Sequence, residues 1–294
     1  MTEKELFSAA GMRPEEQKAP KRRQKAKKPV VSAVVLSIII LGCLFAGVLA
    51  GKDPSYMDLM NYTHAPDREF LFGTDTLGRD LFSCIWYGGR VSLFVGIFAA
   101  AISLILAVVY GALSGVAPAW IDTLMMRLTE ILLSVPSLLL TIFIQAILGE
   151  PSVWSIAFVI GITSWFGMAK VVRTEVRQLR NSDYVTAAVC MGGGFFHILV
   201  RHLAPNFISS IMFMAVMNIR SAIVAESTLS FIGMGLPLDI ISWGSMLSLA
   251  EKALMTKAWW IILIPGAFLV TVLMCMTNIG NWIRRSVNQA ESNL

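Results

Sequence analysis

Two charged residues, Arg220 and Glu226, lie near one end of a long apolar stretch of this sequence. A charge inside an apolar membrane segment is costly, so such residues are candidates for function. Their spacing allows two interpretations. The two side chains could line a polar pathway, or they could form an internal structural pair, which is the interpretation we favour. In both interpretations the charges bind or attract another polar group, and in neither are covalent bonds made or broken.

Motifs for bond-making chemistry are absent from the sequence. It contains no GxxxxGK[ST] phosphate-binding loop, no HExxH and no GxSxG, so we expect neither catalysis nor ATP binding by this chain. The four cysteines and three histidines are scattered, without the spacing of a disulfide framework or a metal site. The sequence therefore predicts no catalytic residue, no metal site and no cofactor bound by this chain.

Composition indicates a membrane protein. The chain has 294 residues, of which 56% are hydrophobic and 15% charged, and its mean hydropathy is +0.68. Soluble domains carry about 25% charged residues. Six apolar runs approach the ~20 residues that cross a bilayer as a helix, and they lack the alternation of barrel strands. The predicted transmembrane helices are 30–50, 91–116, 124–148, 153–170, 205–225 and 259–280.

The distribution of Lys and Arg predicts that both termini are cytoplasmic. With the N-terminus inside, the inner segments hold 17 of these residues and the outer segments 6. A basic cluster at 18–28 lacks the aromatic pattern of a nucleic-acid surface, so no nucleic-acid partner is expected. We predict a basic cytoplasmic tail (1–29), a first transmembrane anchor (30–50), an external interfacial segment (51–90), a membrane core (91–280) and a cytoplasmic tail (281–294).

A glycine-broken segment, 183–206, lies between the fourth and fifth apolar runs, on the predicted cytoplasmic side. It begins as a short helix that carries small residues on one face, is interrupted at Gly192, and leads into the next span at Pro205. Two interpretations stay open from the residues alone. The helix could insert into a groove of a partner protein, or it could be an ordinary cytoplasmic loop helix.

This segment resembles the EAA motif of permeases from ATP-binding-cassette (ABC) importers. Ala187, Ala188, Gly192 and Pro205 occupy matching positions, while Thr186 replaces the usual Glu. In that family the EAA helix docks into a cleft of a cytoplasmic ATPase. The resemblance thus implies that a set of residues couples the chain to an ATPase: Tyr184, Thr186, Ala187, Ala188, Met191, Gly192, Arg201 and Pro205.

Three further segments resemble the dipeptide, oligopeptide and nickel branch of these permeases, the C-type subunit. They read FGTDTLGRDLFSCIWYGGRVSL, ESTLSFIGMGLPLDIISWGSML and WWIILIPGAFLVTVL. We expect an internal ion-pair network among Asp75, Arg79, Asp80 and Arg90. Trp86, Tyr87, Trp243, Trp259 and Trp260 are expected to form membrane-interface belts. The residues of the outer motifs are Gly73, Asp75, Gly78, Arg79, Asp80, Arg90, Glu226, Trp243 and Gly244.

The resemblance implies an all-α membrane protein with a MetI-like permease fold and six transmembrane helices, in the bacterial cytoplasmic membrane. It implies four kinds of partner: the lipid bilayer, a homologous second permease, two cytoplasmic ATPases that hold ATP and Mg, and an external solute-binding protein. The implied substrate is a short peptide, with nickel or a metal chelator as the alternative. An ion-driven carrier would instead show inverted repeats and midplane acids, and no such repeat is visible.

Overall fold

The computed structural model describes residues 28–180, 204–249, 253 and 257–291. Within these ranges the regular elements are ten α-helices and one 3-10 helix (Leu59–Asn61), with a single isolated bridge between Thr74 and Asp80. The all-α prediction is therefore confirmed for this part of the chain. The helices are α1 (Val30–Leu44), α2 (Ala46–Leu49), α3 (Leu81–Val116), α4 (Ala119–Ser134), α5 (Ser137–Leu148), α6 (Val153–Ser164), α7 (Phe166–Arg180), α8 (Ala204–Phe231), α9 (Trp243–Ser248) and α10 (Trp260–Glu291).

Three of these helices contain segments that are long and apolar enough to cross a membrane by themselves: α3, α8 over Ile211–Phe231, and α10 over Trp260–Ser286. Two helix pairs pass the same test only when joined: α4 with α5, bent by 89°, and α6 with α7, bent by 45°. Helix α1 is apolar but only 15 residues long. Length and composition thus give three to five spans in the described residues, and the prediction of six is not confirmed.

The bend between α4 and α5 corrects the prediction of one continuous span over 124–148. Helix α4 ends at Ser134, and Val135 is extended, with φ −86° and ψ 130°. Pro136 follows it, and the ring of a proline disfavours helical backbone in the residue before it. The apolar run is therefore continuous in sequence and interrupted in structure.

Helix α3 begins ten residues before the predicted start at residue 91, which corrects the assignment of 81–90 to the external segment. The Asp80 side chain caps the helix by accepting from the Ser83 amide at 2.9 Å. Gly89 is a packing position in this helix. A Cβ there would overlap Cys43 Sγ and lie 2.7 Å from Trp243 Cζ2. A glycine that suggests a loop in the sequence thus permits close contact between α1, α3 and α9.

Helix α3 is the central element, packing against α6, α7 and α8, while α10 packs against α1, α8 and α9. One apolar cluster surrounds Leu81, Ile85 and Trp243 near the start of α3. A second, around Ala99 and Ile160, joins α3 to α6 and α8. Burying a large apolar side chain stabilises by roughly 1.5–3 kcal/mol, so these clusters fix α3 against its neighbours.

Candidate functional site

A buried ion pair organises the turn that precedes α3. Arg79 Nε donates to Asp75 Oδ2 at 2.7 Å, and both side chains are almost fully buried. Asp75 Oδ1 accepts from the amides of Leu77 (2.8 Å) and Arg79 (3.0 Å). Arg79 Nη1 also donates to the Leu238 carbonyl at 3.2 Å, which joins this turn to the loop before α9. The carboxylate and the guanidinium each have further hydrogen bonds, as a buried pair requires.

Gly78 makes that turn possible. Its φ is +73°, a conformation that L-residues with a side chain rarely adopt, and a Cβ there would overlap the Asp58 carbonyl oxygen. Asp58 in turn caps the 3-10 helix by accepting from the Met60 amide. Gly78 is therefore needed because the backbone of this turn lies directly against the backbone of Asp58. Its role in the outer motif is structural.

The loop over residues 51–80 is ordered by contacts with distant helices. The Thr74 amide donates to the His64 carbonyl at 2.9 Å, and Trp260 Nε1 donates to the Thr74 carbonyl at 3.1 Å. Asp67 Oδ1 accepts from the Phe70 amide at 2.7 Å. That hydrogen bond is the main reason why the pKa of Asp67 is lowered. The segment is thus a fixed cover over the start of α3 and α10.

The predicted ion-pair network is present between Asp75 and Arg79 and is wrong for Asp80 and Arg90. Asp80 Oδ2 accepts from the Ser83 hydroxyl at 2.6 Å as part of the helix cap. The Arg90 guanidinium donates to the carbonyls of Cys43 and Leu44. These carbonyls lie in the last turn of α1, so Arg90 attaches α3 to the end of α1.

Glu226 is bound by four serine hydroxyls, which corrects the predicted pair with Arg220. Residues six apart on a helix point about 120° away from each other at 100° per residue, so the two charges diverge. We call the five residues the Glu226 cluster. Oε1 accepts from Ser230 (3.0 Å) and Ser242 (2.7 Å), and Oε2 accepts from Ser92 (3.2 Å) and Ser227 (3.3 Å). The carboxylate is fully buried and joins α3, α8 and the start of α9.

Trp243 and Gly244 hold α9 against this cluster. The Trp243 amide donates to Ser92 Oγ at 3.1 Å, and its Nε1 donates to the Ile85 carbonyl at 3.0 Å. A Cβ on Gly244 would lie 2.6 Å from Ser227 Cα. Trp243 is fully buried, so the prediction that it belongs to an interface belt is wrong, whereas Trp259 is exposed.

Arg220 faces a cavity of about 200 Å³ between α8 and α10. Among the described residues it forms no ion pair, and its buried Nε atom has no hydrogen-bond partner. The other residues that line the cavity are Val270, Leu273, Met274, Thr277 and Asn278.

A second charged group, at the far end of α3, was not recognised in the sequence. Asp122 Oδ1 accepts from the Ser114 hydroxyl (2.6 Å) and from Arg173 Nε (2.6 Å), and Oδ2 binds the same guanidinium through Nη2. Arg177 Nη2 lies 3.3 Å from that Oδ2 atom. We call Ser114, Asp122, Arg173 and Arg177 the Asp122 cluster. The bidentate pair is the strong form of a carboxylate–guanidinium contact. No spacing in the sequence reveals it, because its acid and its first arginine are 51 residues apart.

Helix α7 carries further contacts beside that cluster. Lys170 Nζ and Arg127 Nη1 both bind the Glu130 carboxylate, at 3.4 and 3.0 Å. Arg180, the last residue of α7, donates from Nη1 to the Val116 carbonyl at the end of α3. The C-terminal half of α7 is therefore attached to both α3 and α4 just before the segment at 183–206.

Most of the predicted coupling residues lie outside the described residues. Pro205 is the exception, and it lies in the first turn of α8, as predicted. For the others the structure gives no geometry, and their role stays a prediction. They are Tyr184, Thr186, Ala187, Ala188, Met191, Gly192 and Arg201.

Comparison with known proteins gives consistent matches. The profile of a family described as "Binding-protein-dependent transport system inner membrane component" matches residues 107–289, from within α3 to α10. The chain is 34% identical to the oligopeptide transport system permease protein of Bacillus subtilis, over 91% of this chain and 87% of the relative. It is 32% identical to the dipeptide transport system permease protein of the same organism, over 92% and 85%. A putative peptide transport system permease protein of Brucella suis is 36% identical, over 86% and 85%.

Proposed function

Because the chain belongs to the family of binding-protein-dependent transport system inner membrane components, we propose that it forms half of the peptide pathway of an ATP-driven importer. The relatives named as oligopeptide and dipeptide permeases support the substrate class, since they match along about nine-tenths of the chain. The chain is a multi-pass protein of the bacterial cytoplasmic membrane. Family membership also argues against the alternative that the chain is an ion-driven carrier, which is a different class of transporter.

The proposed topology has six spans and two cytoplasmic termini. The spans are α1 together with α2, then α3, the two bent pairs, α8 and α10. Helices α1 and α2 continue one apolar run from Val30 to Leu49, and a helix of that length is about 30 Å long. The excess of Lys and Arg in the inner segments supports the orientation. In this orientation the Glu226 cluster is near the outer face and the Asp122 cluster near the cytoplasm.

The proposed partners follow the family pattern. A homologous second permease completes the pathway, two cytoplasmic ATPases hold ATP and Mg, and an external solute-binding protein delivers the peptide. This chain is the non-catalytic subunit and binds no cofactor. The segment at 183–206 is the proposed contact with an ATPase.

Coupling through α7 is the mechanism that the geometry supports best. The observation that carries it is the bidentate bond from Arg173 to Asp122, together with the Arg180 contact to Val116. A displacement of residues 183–206 by an ATPase would pull on α7. Those contacts would pass the movement to α3 and α4 as a rigid-body shift, because packed helices deform little.

Copurification and uptake test this proposal. The chain is expressed with its second permease, ATPases and binding protein, and the complex is reconstituted in vesicles. We expect ATP-dependent uptake of a labelled peptide. Uptake of nickel or a nickel chelator instead would establish the alternative substrate, and a chain that purifies without ATPase subunits would contradict the family assignment.

Substitution of Gly192 tests the coupling contact separately. The variant Gly192→Asp adds a charge and a side chain to the proposed docking helix. It should lower peptide uptake by about tenfold while the permeases still copurify, since loss of one well-packed contact of about 1.4 kcal/mol corresponds to that factor. Substitution of Gly167, which has no neighbour within 4 Å of an added Cβ, by Ala is the control. Normal uptake by Gly192→Asp would remove this residue from the coupling contact.

A further inference from the structure

Within the described ranges, Arg220 is a cation without a counter-ion in the middle of a candidate membrane span. It lies nine residues after Ile211 and eleven before Phe231, the limits of the apolar part of α8. In the part of the chain that the structure describes, Glu226 is taken by serines and no other carboxylate lies within ion-pair distance of Arg220. Its Nε atom is buried without a partner. A charge at this depth is costly unless another group neutralises it.

The cavity beside Arg220 has few other polar groups to offer. Thr277 donates its hydroxyl to the Leu273 carbonyl, and Asn278 donates its amide to Ser32. Val270 and Met274 complete an apolar wall. The cavity therefore combines one uncommitted guanidinium with surroundings that are mostly apolar, which is a setting in which a carboxylate would be bound strongly.

The face of α10 that borders the cavity is exposed in this chain. Its exposed residues recur every three to four positions and so form one stripe: Leu263, Ala267, Val270, Met274 and Asn278. The cavity between this stripe and Arg220 is a poor lipid-facing surface, because ionisable residues within spans face the bundle interior or a water-filled cavity. We therefore assign the α8–α10 face to the interior of the assembled transporter.

We propose that Arg220 binds the C-terminal carboxylate of the peptide in transit, an inference that rests on the proposed peptide transport. This carboxylate is the one anion that every unmodified linear peptide carries. A single guanidinium can bind it through two parallel hydrogen bonds, whatever the side chains are. The apolar wall of α10 leaves the remainder of the peptide without specific polar contacts. One cation in one cavity thus fits a substrate class of variable sequence.

The test compares a peptide acid with its C-terminal amide. The complete complex is reconstituted in vesicles, and initial uptake rates are measured at equal occupancy of the binding protein, with its affinity for each peptide measured beforehand. The variant Arg220→Gln should lower uptake of the acid by about tenfold, the usual effect of losing a charge-assisted hydrogen bond, and change uptake of the amide by less than about twofold. Arg220→Lys keeps the charge but cannot form the two parallel hydrogen bonds, so its uptake of the acid should lie between that of the wild type and that of Arg220→Gln.

Ser221→Gln is the matched control, since it adds an amide at the neighbouring position, outside the cavity. Equal losses for acid and amide in Arg220→Gln would overturn the proposal. So would loss of the second permease during purification of Arg220→Gln, which would assign the counter-ion to that subunit. If the wild-type complex takes up neither peptide form, the proposed function itself is wrong, and that result is read before any variant is compared.

Discussion

The two ends of α3 are held by different kinds of contact. Near its start, the Glu226 cluster and the Asp75–Arg79 pair are sealed from solvent. The Glu226 carboxylate accepts from serines in three segments, whereas the Asp75 carboxylate accepts from Leu77 and Arg79 in its own turn. Near its end, Asp122 is buried but its two arginine partners are partly open to water, since the side chains of Arg173 and Arg177 are 24% and 45% exposed. Both ends therefore use carboxylates, but only one of them is open to water.

This difference separates a fixed end from an adjustable end. Buried polar groups are expensive to expose, so the contacts around Glu226 and Asp75 resist rearrangement. A partly exposed ion pair costs less free energy to break than a sealed one, because water can replace a lost partner. Asp122 Oδ2 already has two arginines within reach. We expect transport movements to occur mainly at the Asp122 end, which is next to the proposed ATPase contact.

Removing the buried guanidinium should cause the largest loss of stability. Arg79→Met leaves the Asp75 carboxylate buried without its counter-ion, and we expect the free energy of unfolding in detergent to fall by about 3–5 kcal/mol. The control is Lys52→Met, which removes the exposed Lys52–Glu69 pair and should have little effect. Similar losses in the two variants would contradict the distinction between sealed and exposed pairs.

Glu226 provides the next test of the fixed end. Glu226→Ala leaves the hydroxyls of four serines without their acceptor, and the loss should be about 2–3 kcal/mol in the same measurement. Glu226→Gln keeps an oxygen acceptor and nearly the same volume, so its loss should be about 1 kcal/mol. If the Gln variant were as unstable as the Ala variant, the charge rather than the hydrogen bonds would hold this cluster.

At the adjustable end we expect a smaller change in stability and a larger change in coupling. Arg173→Gln removes the bidentate bond to Asp122 but leaves Arg177 nearby, so stability should fall by only about 1 kcal/mol. Peptide uptake per ATP hydrolysed should fall severalfold, because α7 loses its bidentate bond to α4 and keeps only the more exposed pairs of Arg177 and Lys170. Arg127→Gln, which changes a more exposed pair beside it, is the control. Unchanged coupling in Arg173→Gln would show that the movement takes another route.

The sequence predicted which regions are helical and membrane-bound better than it predicted where helices begin and end. Long apolar runs identify α3, α8 and α10, because a bilayer demands continuous apolar length. The start of α3 depends on the Asp80 cap, and the bend between α4 and α5 depends on Pro136, which disfavours helical backbone in the residue before it. These were visible in the sequence, but their outcome depends on packing against distant helices.

The candidate sites were predicted less completely. The contact between Asp75 and Arg79 is local, and it was found. The acceptors and donors around Glu226 come partly from Ser92, which is 134 residues away, and the partners of Asp122 come from 51 residues away. Contacts over such separations depend on how helices pack, and a single sequence does not encode them as a spacing. The role of 183–206 stays a prediction from resemblance.

The length of α3 has a mechanical consequence. Its 36 residues make a helix about 54 Å long, against about 30 Å of hydrocarbon. If its Glu226 end acts as a pivot, a tilt of only about 5° would carry its other end through about 5 Å, roughly one helical turn. In a helix of this length, a small rotation about one end displaces the other end far enough to open or close a passage. The sealed contacts of the Glu226 cluster would then be the point about which α3 rotates.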